Sequence, residues 1–151
     1  MDKILNKINS LWGLAIALLS SLLGRFWYLF AAFMLLNIVD YVTGIIKAKV
    51  FLIENSGKGL LGIIKKVGYW IVIALAFFIS LSFENMGKTI GINLSFTRFL
   101  GWFTLATFII NETRSILENL VALGVDIPPF LTYGLEVASN VISKKEGESN
   151  K

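Results

Sequence analysis

Residues 26–46, FWYLFAAFMLLNIVDYVTGII, decide what kind of protein this is. Only Asn37, Asp40 and Thr43 interrupt the apolar character of the stretch. A helix needs about 20 apolar residues to cross a hydrocarbon core ~30 Å thick, so this stretch reads as a transmembrane helix. Two further runs follow, at 67–83 and 96–116. The first is near the minimum span length, and Lys65 and Lys66 can snorkel to the interface to extend it. The second is interrupted late by Asn111, Glu112 and Arg114. Aromatic residues (Phe26, Trp27, Tyr28, Tyr69, Trp70, Phe96, Phe99, Trp102, Phe103) crowd the ends of these runs, as interfacial belts do. The expectation is an all-α, polytopic membrane protein with three transmembrane helices.

The composition agrees. Of 151 residues 56% are apolar and 16% charged, with a mean hydropathy of +0.73. A water-soluble domain of ~150 residues still exposes about 30% of its chain surface and could not hide such a surplus. The chain has no cysteine and no histidine. That excludes disulfides, thiolate or imidazole metal sites, cysteine catalysis and a Ser–His relay. No enzyme activity, cofactor or metal is expected. Ser56-Gly57-Lys58-Gly59 lacks the order of a phosphate-binding loop and the strand that should precede it.

The net charge of +4 is concentrated in one place. Residues 47–66 hold Lys47, Lys49, Lys58, Lys65 and Lys66 against Glu54, five minus one, and the other segments nearly cancel. Lysines in one connection between two apolar runs fit the positive-inside rule better than a nucleic-acid surface, and no nucleic-acid partner is expected. These five lysines read as topology anchors. The 47–66 loop and the C-terminus are then cytoplasmic, in a multi-pass membrane protein.

The run at 8–24 is short. It either crosses as a fourth span, with Lys3 and Lys7 inside, or lies in the interface as an amphipathic anchor. A cleaved leader is disfavoured, because no A-x-A pattern follows and a second apolar run begins at once. After Glu118, Leu123-Gly124-Val125-Asp126-Ile127-Pro128-Pro129 reads as a helix stop and restart. From 130 to 143, Leu131, Leu135, Ala138 and Ile142 share one face of a short amphipathic helix, and 144–151 is a charged tail expected to be disordered. The organisation is therefore an N-terminal apolar helix (1–25), a transmembrane core (26–118), a turn with an amphipathic cytoplasmic helix (119–143) and the tail (144–151).

Polar residues inside spans are the informative ones, because a charged side chain at mid-membrane costs at least ~2.5–3.5 kcal/mol. Asn37, Asp40 and Gly44 share a helical face, with Tyr41 and Thr43 beside them. Asn111, Ser115 and Glu118 share another, and Arg114 can pair with Glu118 one turn on. Both clusters lie toward the cytoplasmic ends of their helices. Similar depth predicts an Asp40–Arg114 ion pair and an Asn37–Asn111 hydrogen bond. All of these residues, with Glu112, are candidates for helix–helix contact or for lining a water-filled opening.

The ordered series Asp40-Tyr41-Val42-Thr43-Gly44-Ile45-Ile46-Lys47-Ala48, then Ser56 to Lys66, then Asn111-Glu112, Ser115-Ile116-Leu117-Glu118-Asn119 and Leu123 to Pro128, resembles the phage-lysis and toxin-secretion holin family of Gram-positive bacteria. The resemblance covers about residues 26–135; Thr113-Arg114 departs from it. It implies a protein that homo-oligomerises in the cytoplasmic membrane and forms lesions through which an endolysin or a protein toxin escapes, without necessary direct contact with that cargo. The alternative is a small ion channel or transporter using Asp40 and Glu112. Inverted repeats and mid-membrane helix breaks, which transporters usually show, are not seen in the sequence.

Overall fold

The computed structural model describes residues 2–53 and 56–137, and among these it is helical with no strand. The helices are α1 (Asp2–Leu23), α2 (Trp27–Val50), α3 (Ser56–Ile90) and α4 (Arg98–Ala122), with 3₁₀ turns at Gly24–Phe26 and Ser95–Thr97. A further helical stretch, α5, covers 129–137. The remainder of the amphipathic helix expected to 143, and the tail at 144–151, lie outside the described residues.

The chain divides into two compact units, Met1–Ala32 and Phe33–Lys151. In the first, α1 leads through Gly24, whose φ of 62° ends the helix in the left-handed region. Leu11, Trp12, Leu14 and Leu18 are all exposed. Among the described residues of α1, Asn9–Leu18 is apolar. Phe26 and Tyr28 meet edge to face, with ring centroids 6.1 Å apart.

The second unit holds the rest of α2 and the antiparallel hairpin of α3 and α4. Its core is small: Phe33, Ile73, Ala76, Phe77, Leu105 and Ile116. Tyr69 stacks on Phe108 at 4.4 Å, and Trp102 meets Phe77 edge-on at 5.0 Å. Tyr69 and Trp102 therefore pack between helices rather than in an interfacial belt. Gly101 permits the approach, since a Cβ there would stand 2.6 Å from the Phe77 ring. Most large apolar side chains of α2 and α3 remain exposed, Leu35, Ile38, Leu75 and Phe78 among them, which suits a lipid surround and not water.

Two helices are long and apolar enough to cross a membrane: Trp27–Val50, and Gly59–Ile90 within α3. The third span expected at 96–116 does not meet that standard. Its helix has the length, 25 residues, but Arg98 begins it and Asn111, Glu112 and Arg114 break its second half. The expected 47–66 loop is also corrected. Only 51–55 separates α2 from α3, and the lysine-rich segment is largely helical. α3 likewise runs past the expected end at 83 to Ile90, carrying Glu84 to a pairing with Arg98.

Candidate functional site

Asp40, Lys66 and Glu112 come from three different helices and meet in one buried ion cluster. Asp40 is ten residues before the end of α2, Lys66 ten after the start of α3, and Glu112 ten before the end of α4. At 1.5 Å per residue each lies about 15 Å from its helix end, so antiparallel packing brings them level. Lys66 Nζ donates to Asp40 Oδ2 at 2.8 Å and also to Glu112 Oε2. Their side chains are 14%, 15% and 4% exposed, so solvent does little to screen them.

Two turns toward the end of α4, Asn119 extends the cluster. Its Nδ2 donates to Asp40 Oδ1 at 3.2 Å and to Thr43 Oγ1 at 3.3 Å, while its Oδ1 accepts from Lys47 Nζ at 3.0 Å. Thr43 Oγ1 in turn donates to the Asp40 carbonyl at 3.0 Å. Gly44 borders this amide, and a Cβ there would make an ordinary contact with Asn119 Nδ2 at 3.7 Å. Two carboxylates and two ammonium groups cancel, so the network is neutral as a whole. Neutrality and paired hydrogen bonds are what low-dielectric burial demands of charge.

Several expectations are corrected here. Asp40 does not meet Arg114. It is held by Lys66 and Asn119, and Arg114 Nε donates to Glu118 Oε1 at 3.1 Å on the exposed side of α4. The Asn37–Asn111 hydrogen bond is not formed either. Asn37 is buried and its Nδ2 donates to the Phe33 carbonyl at 2.7 Å, while Asn111 is exposed. Lys66, expected as a flanking anchor, stands at the centre of the cluster. Of the other lysines, Lys49 and Lys65 are exposed and Lys47 is half-buried. The Lys58 side chain lies outside the described residues. Tyr41 is exposed and Ser115 half-buried.

Asn119 is a site residue that the run-by-run reading of polar groups passes over, although the spacing contains it. Asp40 to Lys47 and Glu112 to Asn119 are both seven residues, two turns along one helical face. A second cluster, at the opposite end of the hairpin, is equally absent from that reading. Glu84 Oε1 accepts from Arg98 Nη2 at 2.8 Å and from Lys88 Nζ at 2.9 Å. Nearby, Ser80 Oγ accepts from the Gly101 N–H at 3.2 Å, and Thr97 Oγ1 donates to the Ser80 carbonyl at 3.1 Å.

The other side of α4 is built differently. Asn111, Arg114 and Glu118 are exposed and line an open cleft toward α5, whose Thr132, Tyr133 and Glu136 form its far wall. The Arg114–Glu118 pair is 70% and 65% exposed. Among the described residues no group of acidic side chains could hold a metal ion.

Such a protein, helical, apolar outside and with its charges neutralised in pairs within, belongs in a membrane. Residues 17–140 match the bacteriophage holin family, and the chain belongs to that family. It is 34% identical over 104 residues to a probable holin of Bacillus phage phi105, covering 69% of each chain. It is 30% identical over 135 residues to an uncharacterized protein of Halalkalibacterium halodurans, covering 88% of this chain and 96% of the relative. An uncharacterized protein of Clostridium perfringens strain 13 is 35% identical over 102 residues, 68% of each. No solved structure matches. The family points to a non-enzymatic membrane protein.

Proposed function

We propose that this protein is a working holin. It homo-oligomerises in the cytoplasmic membrane of a bacterium and opens lesions that release an endolysin or a protein toxin. The observation that carries this reading is the contrast between the two sides of α4. Glu112 and Asn119 are buried in the neutral network with α2 and α3, whereas Asn111, Arg114 and Glu118 form an exposed polar stripe. In lipid an exposed polar stripe is unfavourable. Neighbouring copies relieve it by hydrogen bonding across the stripe, each bond worth ~0.6 kcal/mol on average, or by enclosing water against it. Weak contacts of this kind let subunits stay dispersed until they are crowded and then assemble together.

In this reading α4 crosses beside α3 as the second arm of the hairpin, so α2, α3 and α4 all span. The 47–66 segment and the C-terminus face the cytoplasm, where the lysines of α2 and α3 favour the inner leaflet. The channel alternative is weakened by the cluster itself, because Asp40 and Glu112 are both bonded to Lys66 and neither is left to receive a passing ion.

Controlled expression in a bacterium tests the proposal. Membrane potential and culture density are followed with and without a leaderless murein hydrolase. Abrupt depolarisation at a reproducible time, with lysis only when the hydrolase is present, is the expected outcome. Gradual, ion-selective leakage that never releases the hydrolase would instead establish the channel.

A further inference from the structure

The segment that ends α2 carries a left-handed leucine. Leu52 has φ 54°, and among the described residues it alone, apart from glycines, has a positive φ. It sits where α2 ends. The Ile53 N–H donates to the Ala48 carbonyl at 3.0 Å, and the Leu52 N–H to the Lys49 carbonyl at 3.2 Å. This six-to-one and five-to-two pairing makes Leu52 the C′ residue of a Schellman cap, the position where glycine is favoured because a Cβ is strained there. Gly24, Gly91 and Gly124 supply the other positive φ values. A leucine at such a position keeps its side chain despite the strain, and that side chain is 91% exposed. Val50, Phe51 and Ile53 beside it are 60%, 51% and 61% exposed. Four consecutive apolar side chains on this turn therefore stay exposed among the described residues.

The flanking charge identifies what covers them. With Lys47 taken up by Asn119, Lys49 and Lys58 flank the turn in sequence against Glu54 alone, two minus one. The same positive turn on a second copy would repel it. An anionic lipid surface attracts it, with ~1 kcal/mol per basic residue near the membrane as the general scale. Apolar side chains among lysines are the composition of interfacial anchors, which bury the former at the headgroup–acyl boundary and leave the latter among the phosphates. We infer that the Val50–Ile53 turn is a wedge seated in the anionic headgroup layer of the inner leaflet, with Leu52 as its point. The inference rests on the reading that α2 and α3 span the membrane with this end cytoplasmic. Its consequence is that the turn fixes the depth of the hairpin, and with it the depth of the Asp40–Lys66–Glu112 cluster.

Because the chain has no cysteine, single spin labels can be placed on the full protein as Leu52→Cys and, for reference, Leu75→Cys. Leu75 is exposed within α3. Both are reconstituted into vesicles of phosphatidylcholine alone and of phosphatidylcholine with phosphatidylglycerol. Accessibility to oxygen and to a water-soluble nickel complex reads depth. The expected result is a label at 52 shielded from nickel, with the shielding increasing when phosphatidylglycerol is added. That increase should shrink in the Lys49→Gln/Lys58→Gln background. A label at 52 open to nickel in both vesicles, while 75 is shielded, overturns the wedge and leaves the spanning reading intact. If 75 is open to nickel too, the spanning reading itself fails. Dipolar broadening between labels at 52 would assign the turn to a second copy and also overturn the lipid assignment.

Discussion

α4 presents two unlike polar faces. On one, Glu112 is 4% exposed and shares Lys66 with Asp40, while Asn119 is 8% exposed and bonds to groups of α2. On the other, Arg114 and Glu118 pair with each other in the open. The residues are chemically similar and lie within two turns of one helix. What differs is the medium. A buried group whose partner is removed becomes an uncompensated charge, whereas an exposed pair relaxes into solvent or against a neighbour. The first face therefore governs whether the three helices hold together, and the second is free to serve assembly.

Lys66→Met gives the sharpest test of that division. It strands two carboxylates together in a buried site, and breaking a buried pair costs about 3–5 kcal/mol. The variant should fail to accumulate as folded protein in the membrane, with its thermal transition in detergent lowered or lost. Parent-like accumulation would erase the distinction between the faces. Glu112→Gln is milder, since Lys66 keeps Asp40. A loss of about 1–3 kcal/mol is expected for disturbing one buried charged hydrogen bond, read as a lower melting temperature with lysis still observed.

The far end of the hairpin offers a comparison without charge. Gly101→Leu would press a side chain into the Phe77 ring, where even a Cβ stands 2.6 Å away, and overpacking of this kind costs about 1–3 kcal/mol. Thermal melting should fall while the Asp40–Lys66–Glu112 cluster survives. The smallest stability effect belongs to the outer face. Arg114→Gln with Glu118→Gln removes an exposed pair worth about 0.3–0.5 kcal/mol, so melting should hardly move. Under the holin reading the time of depolarisation should nevertheless shift. Unchanged timing would remove this stripe from the assembly surface.

The helical class, the span at 26–46 and the chemical oddity of Asp40 and Glu112 are legible in the sequence. They follow from apolar run length and from the rarity of carboxylates in such runs. The partner of Asp40 does not follow. Arg114 and Lys66 both stand at a similar depth, and a lysine adjoining an apolar run has the pattern of a boundary marker. Run length does not show that α3 begins at Ser56, eleven residues before the run at 67, which moves Lys66 from the rim of a span to its inside. Nor does it distinguish Glu112 from Arg114 by side, because each helix's rotation is set by the neighbours it packs against.

The sequence by itself determined that this chain is helical, apolar enough to need lipid and without the side chains for most chemistry. Those properties depend on composition and on local periodicity, which are present in the chain before it folds. It also carried the ordered motifs that place it in the holin family. Only the tertiary structure decided which charges face each other. Packing sets helix rotation and relative depth, and an ion pair between residues as far apart in the chain as Asp40 and Glu112 are from Lys66 depends on both. The neutral cluster, the staple of Glu84 with Arg98, and the strained leucine at the α2–α3 turn all arise at that level.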